Sequence, residues 1–514
     1  MTKATKLIAF EEAAGCMDAI RRKNLRIVQC HGTFDLVHPG HIIFFEEAKA
    51  LGDVLVVTIT GEGHVNKGPG RPFFNDHLRV KSLAALECVD HVVVIPFPAA
   101  VEAIECIRPH VYCKGKEYSD PTNDVTGNIH DDVETVSRIG GEICYVGSIV
   151  FSSTKLINRH FDVHPKGLME SCREVAAKCP PDRFRTIVED FSKLRVLVVG
   201  DIIFDRYTSV AVQGLTSKNR IISTRHLDND TQPGGALAVF RHIKQFTPHV
   251  KIAGLVGVEP WVDNEIGLYV APDEDEILRS HDYTTVVKQR FVEPQKPGQE
   301  LSKLFSINYL DPQPPGESLQ NAFCDRLIRQ IPDYDLVLVM DFGHGTMEDP
   351  VRELVQKSAA FVAVNCQTNS SNYGFNIINR RYSRVDSFSL DKTEITLATG
   401  RRQFDPLVEL SRLRSELKSS YAWVTQGDVE TLGICSNTPE PSRCPPLESD
   451  VVDTVGAGDA FCSLASLAAV SGIPLPVATF LGQLAGAQAV KIVGNRDPVS
   501  KAKLLKSGIS LLTF

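Results

Sequence analysis

The sequence predicts an α/β protein with two domains, each built on a mainly parallel β-sheet. One observation is the length, because 514 residues exceed what a single hydrophobic core usually organises. Another is the alternation of short β-rich runs with longer helical patterns, which begins at Arg26 with "RIVQCH", "GHIIFFEEAKALG" and "DVLVVTIT". A further apolar strand pattern, "LRVLVVGDIIFDRY", opens a second α/β series near residue 194.

The segment between the two series predicts a helical connection. The alternation fades near His160, and residues 164–193 carry a helical pattern that is interrupted by Pro180 and Pro181. Proline lacks an N–H and disrupts the interior of a helix or a central strand. We therefore expect a first domain at 1–163, a helical linker at 164–193 and a second domain at 194–514.

The composition is that of a soluble globular chain. Apolar residues make up 43% and charged residues 23%, and the formal net charge is -8. This charge argues against a nucleic acid or an anionic membrane as the main partner, because both require a clustered basic surface. The first 24 residues are acidic where a signal peptide would be apolar, and they favour an amphipathic helix. Thirteen cysteines without a C-x-x-C pair predict a reduced, cytoplasmic protein.

The stretch "CHGTFDLVHPGH" places His38 and His41 near the start of a predicted helix. A buried strand precedes it, Gly32 permits a tight turn, and Pro39 suits the first helical turn. A helix N-terminus offers unpaired N–H groups, so two imidazoles there would stabilise negative charge on a phosphate. An arbitrary H-x-x-H is more often a capping histidine plus a core histidine, and a zinc pair lacks a third ligand nearby.

The longer string "GTFDLVHPGH" resembles the G-x-F-D-x-x-H-x-G-H signature of the cytidylyltransferase-like nucleotidyltransferases, and the resemblance runs from about Arg26 to His160. It implies a Rossmann-like domain in which His38, His41 and Lys67 are catalytic. It assigns nucleotide binding to Gly32, Thr33, Phe34, Arg71, Ser152, Ser153 and Thr154, and substrate binding to Lys114 in "CKGKEY". By themselves, Lys67 and Arg71 fit solvated surface charges, and Ser-Ser-Thr fits a helix N-cap.

The string "DTVGAGD" predicts a second anion site. Gly456, Ala457 and Gly458 form a small-residue turn directly before an apolar helix, so that backbone N–H groups can surround a phosphate. Asp459 follows, with a carboxylate that can accept a hydroxyl proton. For a bare G-A-G-D, the competing interpretation is a glycine turn with the aspartate as a helix cap.

The order of motifs from Leu194 to Phe514 resembles the ribokinase-like (PfkB) sugar kinases, with "VVGDIIFDRY", "PGGALAVF", "DFGHG", "DKTE", "VTQGDVETLG" and "DTVGAGD". The resemblance makes Asp459 the general base and the turn before it an anion hole. It assigns Asp201, Asp205, Gly234 and Gly235 to the sugar, Thr425 and Gly427 to the nucleotide, and Asp391 and Glu394 to Mg²⁺. It also implies a homodimer and a small β lid, with "RIISTRHL" and "TTVVKQRFV" as lid strands.

Several positions depart from the kinase pattern. Ala238 replaces a substrate-binding asparagine, Asp391 replaces an asparagine near the metal, and "NCQ" at 365–367 replaces the D-P-K of heptose kinases. The last change removes a lysine that would meet a phosphate. The candidate replacements are Lys218, Arg220, Lys288 and Arg290, for which we favour solvated surface positions.

Together the two resemblances imply one enzyme with two activities. The pair resembles the bifunctional heptose-7-phosphate kinases and heptose-1-phosphate nucleotidylyltransferases, with the order of the domains reversed. We expect an enzyme that uses Mg²⁺ and ATP or CTP to convert a sugar phosphate into a nucleotide-activated sugar such as ADP-heptose, and that releases pyrophosphate. Two alternatives stay open: a catalytically silent kinase domain used for binding or dimerisation, and a CTP-dependent transferase that acts on a phosphorylated alcohol.

Overall fold

The computed structural model of the chain describes residues 6–65, 71–119, 128–147, 167–294, 300–369 and 372–513. The chain divides into two compact units, which we call the N-terminal unit and the C-terminal unit. The N-terminal unit comprises Met1–Met169 with Leu505–Phe514, and the C-terminal unit comprises Glu170–Leu504. The two α/β series of the sequence therefore correspond to two structural units.

The N-terminal unit is organised around a six-stranded parallel sheet with the spatial order β1-β4-β3-β2-β5-β6. The strands are β1 Leu7–Ile8, β2 Ile27–Gly32, β3 Val54–Thr60, β4 His91–Ile95, β5 Val111–Gly115 and β6 Glu142–Val146. The helices are Phe10–Arg21, Pro39–Lys49, Asp76–Ala84, Val101–Ile107 and Asn128–Arg138. Because the strands are parallel, their carboxyl ends meet at one edge, where a ligand crevice is expected.

Side-chain alternation along β3 explains why helices cover both faces of this sheet. All seven residues of β3 are buried. Leu55 packs with the helix Pro39–Lys49 in one buried cluster, whereas Val56 packs with the helix Phe10–Arg21 in another. Successive residues of a strand point to opposite faces, so a continuous apolar run requires cover on both sides.

The C-terminal unit is organised around an eight-stranded sheet with the order β10-β7-β15-β16-β17-β18-β19-β20. The described strands of the whole unit, including those outside this sheet, are β7 Val196–Gly200, β8 Ile202–Leu215, β9 Ile222–Gly235, β10 Val250–Ala253, β11 Leu255–Val256, β12 Leu278–Arg279, β13 Val286–Val292, β14 Lys303–Tyr309, β15 Leu336–Asp341, β16 Val362–Cys366, β17 Ser387–Asp391, β18 Tyr421–Thr425, β19 Thr431–Cys435 and β20 Ser442–Cys444. Pairing is parallel from β10 to β18 and antiparallel from β18 to β20. The predicted α/β class with parallel sheets is thus confirmed in both units.

Further helices follow from Leu168 onward, and the last of them crosses the division between the two units at Leu504 and Leu505. They are Leu168–Lys178, Pro181–Asp190, Ala236–Lys244, Val262–Gly267, Glu317–Gln330, Asp349–Ser358, Ile378–Arg381, Lys392–Thr399, Pro406–Glu416, Ala457–Val470, Leu475–Ala489 and Lys501–Leu512. No helix within the described ranges combines the length and the apolar character that crossing a bilayer requires.

The expected linker contains two helices, Leu168–Lys178 and Pro181–Asp190. Pro180 is the N-cap of the second helix and Pro181 its first residue, so the proline pair starts a helix as well as ending one. Residues Glu170–Leu504 are grouped with the C-terminal unit, so most of the first linker helix and all of the second belong to it. The domain limits at 163 and 194 stay predictions.

A second sheet of the C-terminal unit, which we call the lid, has the order β14-β13-β8-β9. The two predicted lid segments correspond to β9 and β13, while β8 and β14 were not predicted. The run "VVGDIIFDRY" was expected to form one strand, but it divides at Asp201 between β7 and β8. The Asp201 N–H still donates a hydrogen bond to the carbonyl oxygen of Met340 on β15, in the eight-stranded sheet, which we call the main sheet. Ile202 pairs instead with Gly235 of the lid.

Candidate active sites

In the N-terminal unit, His38 and His41 lie where the carboxyl end of β2 leads into the helix Pro39–Lys49. His38 is the N-cap of this helix, and its Nδ1 accepts a hydrogen bond from the His41 N–H at 3.3 Å. The two imidazole rings stack with 3.9 Å between their centroids, and Phe34 packs edge-on against His41 at 5.2 Å. The capping interpretation is therefore correct for His38, and it brings both rings to a helix start that favours an anion.

His31, which the sequence analysis left unassigned, lies between two strands at the same edge. Its Nδ1 and Nε2 contact the hydroxyl groups of Thr58 and Thr60 at 3.0 and 3.3 Å. Burial, assisted by the charge of nearby Lys114, lowers the pKa of His31 to about 3. The ring is therefore neutral at pH 7 and adds a hydrogen-bonding group to the sheet edge without adding charge.

Two buried arginines organise the loops around the histidines. Arg71, expected to bind the nucleotide, forms an ion pair with Asp35 at 3.1 Å, in which the side chains are 2% and 1% exposed. Arg79 donates hydrogen bonds to the carbonyl oxygens of Thr33 and Thr60 at 2.7 and 2.9 Å. Arg71 therefore has a structural partner, and its contact with a nucleotide stays a prediction.

Lys114, expected to meet the substrate, lies near the carboxyl end of β5. Its ammonium forms an ion pair with Asp132 at 2.7 Å, and the Tyr112 hydroxyl donates to the same carboxylate at 3.1 Å. The charge of Lys114 acts on His31, which places the two side chains at one edge of the sheet.

Four expected residues lie outside the described residues, namely Lys67, Ser152, Ser153 and Thr154. The other three expected nucleotide contacts follow one another at the end of β2: Gly32, Thr33 and Phe34. Phe34 has a positive φ of 44°, and its buried ring contacts Phe45 as well as His41. The roles of all seven stay predictions.

In the C-terminal unit, Asp459 lies in the first turn of the helix Ala457–Val470. Gly456 is the N-cap with a φ of 82°, and a Cβ there would collide with the Asn495 side chain, so this position requires glycine. Burial raises the pKa of Asp459 from 3.8 to about 7. A carboxyl group with a pKa near the working pH suits a general base.

Two of the residues at 365–367, where "NCQ" departs from the kinase pattern, contact the Asp459 carboxylate. Gln367 Nε2 donates a hydrogen bond to Asp459 Oδ1 at 2.6 Å, and Asn365 Nδ2 donates to the same oxygen at 3.3 Å. These hydrogen bonds stabilise the ionised form, and the Gln367 contact opposes the effect of burial on the pKa of Asp459. From the sequence, these positions showed only the loss of a lysine, and the hydrogen bonds to Asp459 were not predicted.

The lid supplies two cations to this site. Arg290 forms an ion pair with Asp205, and the charge of Lys288 acts on Asp459. Burial lowers the pKa of Lys288, against the attraction of Asp205. Both lie on β13, an inner strand of the lid, so their expected position as solvated groups was wrong. The other two candidates lie on the exposed turn between β8 and β9, as expected: Lys218 and Arg220.

Asp201, whose contact with a sugar stays a prediction, accepts hydrogen bonds from the backbone of a loop that follows β15. Its Oδ2 accepts the N–H groups of Phe342 and His344 at 2.8 and 3.1 Å, and its Oδ1 accepts the N–H of Thr346 at 3.0 Å. The residue is completely buried. Burial raises its pKa, and these N–H groups oppose the rise. Asp201 therefore organises the "DFGHGT" loop, since its carboxylate is enclosed by backbone donors.

Gly234 and Gly235, which end β9, bring the lid close to two acidic residues. A Cβ at Gly234 would collide with Asp205 Oδ2, and one at Gly235 would collide with the Asp201 carbonyl oxygen. Only glycine permits this approach. Ala238, one turn further on, is buried in the core. The contacts of Asp205 and of the two glycines with a sugar stay predictions.

Asp391 and Glu394, expected to hold a metal ion, form a capping box at the start of the helix Lys392–Thr399. Each carboxylate accepts the backbone N–H of the other residue at 2.7 Å. Burial raises the pKa of Glu394 well above its usual range, and the charge of Asp391 adds to this rise. Across the parts of the chain that the structure describes, no cluster of three or more His, Cys, Asp or Glu residues is arranged to ligate a metal.

The expected nucleotide residues Thr425 and Gly427 lie beside this capping box. Thr425 ends β18 and pairs in register with Asp391 of β17. Gly427, with a φ of 60°, lies in the turn to β19. Both residues are thus at the carboxyl edge of the parallel part of the sheet, the edge at which such folds bind ligands.

Asp453, the first residue of "DTVGAGD", is buried and tied to the lid. Its Oδ1 forms an ion pair with Lys303 of β14 at 2.6 Å and accepts the Val455 N–H at 3.1 Å. Its Oδ2 accepts the Gly494 N–H at 2.9 Å and the Tyr207 hydroxyl at 3.3 Å. The sequence analysis missed this contact, because Lys303 and Asp453 are separated by 150 residues.

Comparison with known families indicates the class of protein to which the two units are similar, namely transferases. A family model described as cytidylyltransferase-like matches residues 30–166, and a model described as pfkB family carbohydrate kinase matches residues 353–502. The chain thus contains a nucleotidyltransferase domain and a kinase domain. The first match includes the histidine pair and the second includes Asp459, whereas Asp201 and Asp205 lie before the second match.

Among particular proteins, the chain is similar to the bifunctional protein HldE of two bacteria. It is 40% identical to that of Methylococcus capsulatus over 152 residues, which cover 29% of this chain and 31% of the relative. It is 35% identical to that of Azorhizobium caulinodans over 150 residues, which cover 29% and 30%. The chain thus matches less than a third of the length of these curated relatives.

Among solved structures, the chain is similar to phosphofructokinase-2 from Escherichia coli and to ribokinase from Thermotoga maritima. The first comparison has 14% identity, a TM-score of 0.49 and coverage of 62% of this chain and 99% of the other. The second has 18% identity, a TM-score of 0.46 and coverage of 61% and 99%.

Proposed function

We propose that the chain is a bifunctional enzyme that phosphorylates a sugar in the C-terminal unit and transfers a nucleotidyl group to the product in the N-terminal unit. The observation that carries this proposal is the buried Asp459 at the Gly456 turn, whose pKa lies at about 7. Burying a carboxyl group costs free energy, so its presence beside a backbone anion site supports a catalytic role.

In the kinase step, a sugar hydroxyl attacks the γ-phosphorus of a nucleoside triphosphate, and the bond to the bridging oxygen breaks. Asp459 takes the hydroxyl proton, and the nucleoside diphosphate leaves. Backbone N–H groups at the start of the helix Ala457–Val470 stabilise the negative charge of the transferred group. We propose a heptose phosphate as the acceptor and its anomeric hydroxyl as the nucleophile, which the sequence resemblance supports.

In the nucleotidyl transfer, a phosphate oxygen of the sugar 1-phosphate attacks the α-phosphorus of ATP or CTP, and pyrophosphate leaves. The reaction needs no protein nucleophile, because two anions held in line with charge compensation suffice. His38 and His41 supply this compensation at the helix start. Lys67 and the Ser152–Thr154 segment are assigned to the phosphates by resemblance.

We propose that Mg²⁺ enters both sites with the triphosphate. The capping box uses one oxygen of each carboxylate, so Asp391 and Glu394 keep a second oxygen each for the metal that the sequence resemblance assigns to them. If bound, Mg²⁺ would supply positive charge that compensates the phosphate oxygens in both transfers.

We propose that the protein is a cytoplasmic homodimer, and the exposed face of the lid supports the dimer. Phe305, Ile307 and Tyr309 alternate along β14 and are exposed, so they share one face of an edge strand. The hairpin formed by β8 and β9 adds the exposed Leu215 and Ile221 at its tip. A second copy of the chain would bury these apolar groups, and Ile307→Lys should then shift the sedimentation coefficient to that of a monomer.

The experiment offers the purified protein a panel of sugar phosphates with ATP or CTP and follows the nucleoside diphosphate and pyrophosphate separately. We expect Asp459→Asn to lose phosphorylation but to keep pyrophosphate release when a sugar 1-phosphate is supplied. We expect His41→Ala to lose only pyrophosphate release, and each loss should be by a factor on the order of 10² or more. Normal phosphorylation by Asp459→Asn would contradict the kinase assignment. The replacement of D-P-K by "NCQ" favours one rival, a silent kinase domain, which predicts no nucleoside diphosphate with any acceptor.

A further inference from the structure

Two side-chain amides at the end of β16 hold the carboxylate of Asp459. Gln367 Nε2 donates to Oδ1 at 2.6 Å and Asn365 Nδ2 donates to Oδ1 at 3.3 Å. Within the described ranges, no hydrogen bond reaches Oδ2. The two oxygens of one carboxylate therefore have different surroundings.

The backbone that carries both amides is fixed. Asn365 pairs with Met340 inside the main sheet, and the Gln367 N–H donates to the Asp341 carbonyl at 2.8 Å. Asn376 Nδ2 in turn donates to the Gln367 carbonyl at 3.0 Å. Donors on such a rigid support can set the orientation of the group they bind.

An amide nitrogen donates hydrogen bonds and does not accept them, so Oδ1 must remain an acceptor and a proton arriving at Asp459 goes to Oδ2. We propose that Gln367 and Asn365 are positioning residues for the kinase step, which hold Oδ1 and leave Oδ2 for the acceptor hydroxyl. This inference rests on the proposed kinase function of Asp459.

Charged groups also approach Asp459 from three other elements. Asp205 on β8 and Lys288 on β13 act on its carboxylate in opposite directions. Glu394, at the start of the helix Lys392–Thr399, is close enough for mutual repulsion. Gln367 differs from all three because it stabilises the carboxylate without adding a charge. A lysine at this position would hold Asp459 ionised at lower pH and make it a weaker base, whereas the neutral amide leaves a base that titrates near neutrality.

The test compares the pH dependence of kcat/KM for the kinase reaction in wild type and in Gln367→Met, which removes the donor but keeps the length of the side chain. We expect the acidic limb of the pH profile to move to higher pH by about one unit in Gln367→Met. A hydrogen bond to an ionised group lowers the pKa of that group by about one unit, and the variant loses this bond. Gln367→Glu should move the limb further, since it adds a like charge. At pH 7 a rise of the pKa from about 7 to about 8 lowers the ionised fraction of Asp459 roughly fivefold, so kcat should fall by about this factor while KM changes less.

A matched control is Gln356→Met, on the helix Asp349–Ser358. Gln356 accepts the backbone N–H groups of Ser383 and Arg384 at 2.9 and 3.0 Å, so its loss should lower thermal stability without moving the acidic limb. If Gln367→Met behaves in the same way, with lower stability and an unmoved limb, the positioning role is refuted.

A second measurement does not require activity. The stability difference between Asp459→Asn and wild type is followed against pH, with and without Gln367→Met in both proteins. The difference in the free energy of unfolding stops changing with pH once the pH exceeds the pKa of Asp459 in the folded protein. We expect this pH to rise by about one unit when Gln367 is replaced by methionine. An unchanged pH would overturn the inference by itself, whereas a wild type that phosphorylates no acceptor would contradict the proposed function.

Discussion

Replacing Asp459 by asparagine keeps the shape of the side chain and the Oδ1 acceptor for Gln367, but removes the ionisable carboxyl group. Burial raises the pKa of Asp459 from 3.8 to about 7. Between these two values the folded protein binds more protons than the unfolded chain, so wild-type stability falls as the pH rises through this window. We therefore expect Asp459→Asn to be the more stable protein at pH 8.

The size of the stability difference between Asp459→Asn and wild type follows from the pKa shift of Asp459. A rise from 3.8 to about 7 is roughly three units, and each unit corresponds to about 1.4 kcal/mol between the two protonation states. The free energy of unfolding of Asp459→Asn should thus exceed that of wild type by on the order of 4 kcal/mol above pH 7. Below pH 4 the carboxyl group is protonated in both states, and the difference should disappear.

The assay is urea unfolding at several pH values between 4 and 8.5, followed by tryptophan fluorescence. Both tryptophans, Trp261 and Trp423, belong to the C-terminal unit, so the signal reports the unit that contains Asp459. Trp423 also packs against Phe461, which lies on the same helix as Asp459, with 6.1 Å between the ring centroids. A difference that does not vary with pH, or a wild type that is more stable at pH 8, would refute the reasoning.

Three further perturbations test other parts of the structure. His41→Ala should reduce pyrophosphate release by a factor on the order of 10² and leave nucleoside diphosphate formation unchanged, because the histidine pair belongs to the N-terminal unit; equal loss of both products would contradict this. Gly234→Ala should displace the Asp205 carboxylate, costing about 1–3 kcal/mol in urea unfolding and raising KM for the acceptor; wild-type values for both would show that the close approach is unnecessary. Lys303→Met should leave the buried Asp453 without its cation and destabilise the C-terminal unit by about 3 kcal/mol, read by the same fluorescence; a loss below about 0.5 kcal/mol would mean that the ion pair is dispensable.

The parts of the site that depend on neighbouring residues could be predicted. The glycine turn at Gly456 and the position of Asp459 in the following helical turn are both visible in "DTVGAGD". The capping of the helix Pro39–Lys49 by His38 was likewise one of the interpretations of "HPGH". Turn and cap geometry depend on a few consecutive residues, so a short string is enough to indicate them.

The parts that depend on distant residues were missed or misjudged. Gln367 was noted only as a missing lysine, although it donates to Asp459. Lys288 and Arg290 were expected in solvent, but the lid holds them over the acidic residues of the site. Asp201 was expected at the sugar, which stays a prediction, and the three backbone N–H groups that enclose it were not predicted. A side chain's partners follow from which strands are adjacent, and this order is not written in any local pattern.

The sequence by itself determined the α/β class, the two parallel series, and the places where a strand gives way to a glycine turn and a helix, because periodicity and turn chemistry act over a few residues. Only the tertiary structure decided which groups meet. Gln367 reaches Asp459 across 92 residues of chain, and Lys303 reaches Asp453 across 150, because the order of the strands brings their ends together. These contacts set the charge and orientation of the candidate base, so the chemistry of the site was decided by packing between distant segments.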